Sequence, residues 1–107
     1  MKRGEVWWVD FDPATGTEVK KTRPAVIVSN DASNASMHRV QVVPITSNTA
    51  KIYVFEAVVE MKTISGKAMA DQIMTADKQR LKKRIGSLSP AEMLGVERAI
   101  KVQLGIR

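Results

Sequence analysis

Arg23 stands near the end of Lys20-Lys21-Thr22-Arg23-Pro24, directly before the apolar run Ala25-Val26-Ile27-Val28. An arginine mounted at the mouth of a strand offers a planar fork of donors to a phosphate, and a rigid mount keeps the fork aimed. The same cluster equally suits a surface arginine whose stem covers a strand edge. Further on, Val43-Pro44-Ile45-Thr46-Ser47-Asn48 closes a strand-like segment with two adjacent hydroxyls. Such hydroxyls either donate to an oxyanion or cap the turn. His38 is the single histidine, so a Ser-His-Asp arrangement has one available base, and a loop histidine is ordinarily solvated. Asp10 and Asp12 supply only two carboxylates, and no His, Asp and Glu residues recur at metal-ligand spacing. Cysteine is absent, which removes thiolate nucleophiles, disulfides and most structural zinc sites. The expectation is therefore chemistry without a metal or cofactor.

The surroundings of these residues are basic. Lys and Arg number 17 against 11 Asp and Glu, a net charge of +6, which favours a polyanionic partner through phosphate neutralisation and counterion release. Lys78-Gln79-Arg80-Leu81-Lys82-Lys83-Arg84 adds a second cationic cluster, ordinarily a solvated face. Few aromatics are available for a base-stacking platform. The glycines at 4, 16, 66, 86, 95 and 105 form no phosphate-cradling pattern, which disfavours nucleotide-dependent chemistry. At 107 residues the chain is expected to form a single domain, 1–107. With no signal-peptide core and no membrane-length apolar stretch, it is expected to be soluble, unexported and cytoplasmic.

The elements that must position Arg23 and Thr46 read mostly as strands. Glu5 to Phe11 is rich in β-branched and aromatic types and stops at Asp12-Pro13, with Trp7 and Trp8 on opposite faces, one in the core and one free. Pro24 opens a buried strand through Val28, and Arg39 to Ile45 forms a third whose Pro44 suggests a sheet edge. Asn30 to Asn34 reads as punctuation. Ile52 to Val59 alternates, with Tyr53, Phe55, Ala57 and Val59 on one face and Glu56 and Glu60 on the other. Short strands over Lys67 to Ile73 and Arg84 to Leu88 flank a helical turn at Thr75 to Leu81. Ser89-Pro90-Ala91-Glu92 is a capping box, and Met93, Val96, Ile100 and Leu104 form an apolar helical stripe ending at Gly105. Short strands with one terminal helix and no βαβ alternation predict a small, bent antiparallel sheet or barrel of the α+β class.

The assembled motifs resemble the MazF/PemK/Kid family of bacterial toxin endoribonucleases. The resemblance runs through Arg3-Gly4-Glu5-Val6-Trp7, Val9-Asp10-Phe11-Asp12-Pro13, Gly16-Thr17-Glu18, Thr22 to Val28, Val43 to Ser47 and Ala70-Asp71-Gln72-Ile73, nearly the whole chain. It implies an SH3-like antiparallel barrel with a C-terminal helix, assembled as a homodimer, and an antitoxin partner with an acidic, disordered segment. It also implies metal-independent, sequence-specific cutting of single-stranded RNA through its own 2′-OH, giving 2′,3′-cyclic phosphate and 5′-OH ends and stopping translation. The family's active-site arginine falls on Arg23 and its hydroxyl on Thr46. Asp71 falls where one branch of the family has an aspartate that acts as the base, which makes it a third candidate catalytic residue beside Arg23 and Thr46, but the arginine that accompanies it two residues earlier is Met69 here. The alternative to that catalytic role is that Asp71 and Gln72 position RNA or hold a strand end. Glu18 and Ser47 support the loop and the hydroxyl, and Lys20 and Lys21 face the RNA.

Two other functions use the same features. Gyrase-poisoning toxins share the family's fold and dimer but act by binding a protein, and a plain nucleic-acid-binding barrel needs only the charge. Arg23 together with Thr46 favours the nuclease.

Overall fold

Apolar runs too dense for one-sided burial explain the middle of the sheet. In the computed structural model, which describes residues 1–107, β1 (Glu5–Asp10), β2 (Thr22–Ile27) and β3 (Arg39–Thr46) each place buried residues on both faces. Val26, Val28, Val43 and Ile45 enter one apolar cluster, while Ala25, Ile27, Val40 and Val42 enter another on the opposite side. The remaining elements are α1 (Asp31–Ser36), β4 (Glu56–Glu60), β5 (Ser65–Met69), β6 (Met74–Asp77), β7 (Leu81–Ser87) and α2 (Pro90–Leu104). Single 3₁₀ turns lie at Ala70–Gln72 and Lys78–Arg80.

Every pairing is antiparallel, and the strand order is β4-β5-β3-β2-β1-β7 with β6 also on β3. β4 and β7, at the two ends of this path, do not pair, so the barrel is open. The architecture is the expected α+β arrangement. α2 closes the first cluster through Val96 and Ala99, both fully buried. Its capping box is complete: Ser89 Oγ accepts from the Glu92 N–H and Glu92 Oε1 from the Ser89 N–H. Gly105 ends it in the left-handed region, φ 68°.

Several elements depart from the sequence expectation. Pro44 is in a central strand, not at an edge; it is fully buried where the outer neighbour of β3 changes from β6, which pairs as far as Val42, to β5, which starts at Ile45. In that gap no ladder partner requires the missing N–H. The Ile52 to Val59 strand shortens to Glu56–Glu60, and Ile52, Tyr53 and Val54 form an exposed loop. Glu56 is buried rather than solvent-facing, because Lys67 pairs with it. Asn30 to Asn34 is no loop: Asn30 caps α1 by accepting the Ser33 N–H, and Asn34 is buried. The expected helical turn at Thr75 to Leu81 is replaced by β6 and a 3₁₀ turn, and the strand expected from Arg84 to Leu88 is the end of the longer β7, which stops at Ser87. Leu104, expected in the helical stripe, is exposed, and the fully buried residues of α2 are Val96 and Ala99. Neither tryptophan is fully buried. Trp7 packs against the second cluster and donates its indole N–H to Glu5, while Trp8 is exposed.

Candidate active site

The β2–β3 register brings the arginine to the hydroxyl. Ala25 pairs with Pro44, and continuing that antiparallel register by two residues sets Arg23 opposite Thr46. Both line one cleft of about 340 Å³, with Ser47 beside them, Trp8 on one wall and Thr63 to Ser65 on the other. Arg23 is held by the strand and by its Nε, which donates to the Lys20 carbonyl at 3.4 Å. The rest of its guanidinium has no partner in the chain, leaving an uncompensated cation in the cleft. Thr46 Oγ1 accepts the Asn48 N–H at 3.3 Å. An oxygen that accepts in this way still has its own O–H to donate, so turn capping and donation into the cleft are compatible.

Thr46 is itself fixed by close packing. A Cβ on Gly66 would run into the Thr46 carbonyl, lying 2.9 Å from its carbon. Only glycine lets β5 approach so closely.

The other residues singled out in the sequence are elsewhere. Asp71 and Gln72 line a separate hollow of about 260 Å³ with Glu18, Val19 and Arg80. Gln72 Oε1 accepts the Val19 N–H at 3.1 Å, and Glu18 Oε1 accepts the Thr15 N–H at 2.8 Å. Gln72 therefore ties the loop between β1 and β2 to the 3₁₀ turn, and Glu18 closes a turn within it. Lys20 and Lys21 are exposed on the same loop, outside the cleft lining. Lys21 has φ 67° and is anchored through its N–H to Asp12 Oδ1 at 2.9 Å. His38 is exposed, and only its backbone carbonyl is engaged, by the Lys78 N–H. No group of three or more His, Asp or Glu side chains converges to hold a metal ion.

Sequence reading missed Arg80. Within the basic cluster it resembles its neighbours, yet its guanidinium donates to the Asp10 carbonyl at 2.9 Å and the Asp12 carbonyl at 2.6 Å. It is the cation of the Asp71 hollow. Lys67 was missed as well, since an isolated lysine in a strand reads as solvent-facing.

Comparison with known proteins places this geometry in a family. The sequence profile of the PemK-like, MazF-like toxin of type II toxin-antitoxin system matches residues 2–104. The chain belongs to this toxin family. The endoribonuclease MazF9 of Mycobacterium tuberculosis is 43% identical, the match covering 99% of this chain and 98% of that protein. The crystal structure of MazF from Deinococcus radiodurans has a TM-score of 0.89 at 28% identity, covering 99% of this chain and 97% of that one. A mycobacterial endoribonuclease solved in complex with its cognate antitoxin has a TM-score of 0.86 at 26% identity, covering 100% and 97%. The family's sheet with a terminal helix is the one described above. No helix of the chain is long and apolar enough to cross a membrane.

Proposed function

We propose that this chain, a toxin endoribonuclease of the MazF kind, cuts single-stranded RNA at a short sequence without a metal ion and so stops translation. The ribose 2′-OH beside the scissile phosphate attacks phosphorus; the O2′–P bond forms, the P–O5′ bond breaks, and the ends are a 2′,3′-cyclic phosphate and a 5′-OH. The substrate supplies the nucleophile, so the protein need only orient it, move protons and stabilise the phosphorane. The observation that carries this reading is the cleft lined by both Thr46 and an Arg23 whose guanidinium has no ion-pair partner. Arg23 neutralises charge at the phosphate, and a guanidinium is too weak a base to be assigned more. Thr46 donates to a non-bridging oxygen, with Ser47 as its neighbour. Asp71 lies outside the cleft lining, which supports a role in positioning RNA over one in proton transfer. Glu18 and Gln72 keep the β1–β2 loop in place for the exposed Lys20 and Lys21 to meet phosphates.

The proposed active unit is a homodimer of single-domain chains in the cytoplasm, neutralised by an antitoxin with an acidic, disordered segment; the antitoxin-bound mycobacterial relative supports the second point. Incubation of the purified protein with a long unstructured RNA in EDTA tests the activity. Discrete fragments are expected, whereas intact RNA would leave the gyrase-binding or binding-only alternative.

A further inference from the structure

Between Thr46 and β4 the chain runs through an exposed loop, 47–55, that is tied down at its far end by a buried ion pair. Lys67 and Glu56 have side chains only 10% and 5% exposed, and Lys67 Nζ lies 2.9 Å from Glu56 Oε1. The same ammonium donates to the Lys51 carbonyl at 2.6 Å, and Glu56 Oε1 also accepts the Tyr53 N–H at 2.9 Å. The backbone of Lys67 is paired with Thr46 itself. One side chain thus links the strand position of the reactive hydroxyl to the middle of the loop that follows it.

The loop matters because of what it borders. A second hollow, of about 310 Å³, is lined by Thr49 and Ile52 of the loop with Val58 and Glu60 of β4, and it shares Ser47 and Ser65 with the reactive cleft. The two hollows are therefore adjacent across Ser47 and Ser65.

We propose that Lys67 and Glu56 are positioning residues, holding loop 47–55 as the wall of the hollow that receives the nucleotide flanking the scissile phosphate. The inference rests on the nuclease reading. Thr46 keeps its own supports in the β-ladder and against Gly66, so the pair governs binding and site choice more than the chemical step. A methionine pair would fill the same space, but it would neither donate to the Lys51 carbonyl nor accept the Tyr53 N–H.

Lys67→Met alone strands a buried carboxylate and endangers folding. The deciding variant is Lys67→Met with Glu56→Met, which removes both charges at similar volume and commonly leaves stability intact. On an oligonucleotide containing the preferred site, this folded variant is expected to raise KM about tenfold, change kcat less than threefold, cut discrimination against single-base changes about tenfold, and speed amide exchange at 51–55. Lys67→Arg, which keeps the charge, should retain most discrimination. Unchanged KM and discrimination in the double variant would overturn the proposal, as would its failure to fold, since the pair would then belong to the fold. Wild-type protein run alongside separates the two readings: without RNA cleavage by wild type the nuclease reading itself fails, and this inference with it.

Discussion

Gly66→Ala should damage the site through a single methyl group. Gly66 does not have a positive φ, so backbone strain is not the obstacle; the obstacle is Thr46. The added Cβ would lie 2.9 Å from the Thr46 carbonyl carbon and 3.3 Å from Ser47 Cα, against an optimum of about 3.5–4.0 Å between carbons. Both opposing atoms are backbone, so β3 and β5 must separate by something on the order of 1 Å. Overpacking of this kind costs about 1–3 kcal/mol, and a 1 Å misplacement of a catalytic group costs about 10²-fold in rate. Gly95→Ala is the matched control. Its Cβ would meet Ala57 at an ordinary 3.7 Å, and alanine is favoured over glycine inside a helix by about 1 kcal/mol. RNA cleavage rates and thermal unfolding of both variants are the assay. Gly66→Ala is expected to fold, lose a few degrees in Tm and lose about 10²-fold in kcat, while Gly95→Ala keeps its activity and gains stability. Wild-type kcat and Tm in Gly66→Ala would refute the reasoning that close strand approach fixes the hydroxyl.

Arg23→Ala and Thr46→Ala should each lower cleavage by a factor on the order of 10², with circular dichroism and Tm unchanged, because Arg23 is exposed and makes one long internal hydrogen bond; near-wild-type cleavage by a folded Arg23→Ala would show the site to be elsewhere. Asp71→Asn should raise KM more than it lowers kcat, and a loss of kcat as large as that of Arg23→Ala with KM unchanged would instead place Asp71 in the chemical step. For Glu92, burial works to raise its carboxyl, but hydrogen bonds from the Glu60 and Ser89 N–H groups outweigh it and hold the group below its usual 4.5. A carboxylate depressed in the folded state stabilises above its unfolded pKa and loses that contribution as pH falls through the folded value. Glu92→Gln should therefore lower Tm near neutrality and flatten the loss of Tm below about pH 4.5; an unchanged acid limb would contradict the sign. An acidic antitoxin segment drawn to the same basic surface as RNA should compete with it and weaken as salt rises past ~0.15 M, where the Debye length is about 8 Å; simultaneous binding of both in a titration would show that they use separate surfaces.

What was legible in the sequence followed from local signals with one physical reading. Ser89-Pro90-Ala91-Glu92 caps a helix wherever it occurs on a free surface, and Ala25 to Val28 has no polar face to leave in water. The cleft was legible only through the family resemblance. Arg23 and Thr46 are distant in sequence, and it is the β2–β3 register that sets them opposite. Elements stabilised by tertiary contacts were not legible. α1 is six residues, four of them polar, turn-forming types and two alanine, held by Asn30 and a buried Asn34, with no apolar period. β6 has one buried residue, Ala76, and depends on the β3 edge. Ile52 to Val59 misled because the alternation continued into an exposed loop, and Glu56 misled because the sequence does not show Lys67 folding over it. Asp71 was grouped with Arg23 and Thr46, although the 3₁₀ turn that carries it faces another hollow.

The central claim is that the substrate's own 2′-OH is the nucleophile in the Arg23–Thr46 cleft. It is tested most directly by an oligonucleotide that carries a single 2′-deoxy substitution at the residue 5′ to the cleaved bond, incubated with the protein in EDTA beside its all-ribose twin, with the ends weighed by mass spectrometry. The all-ribose strand should be cut to 2′,3′-cyclic phosphate and 5′-OH ends while the substituted strand stays whole. Cutting of the substituted strand at the same bond, or 5′-phosphate ends from either strand, would contradict the account.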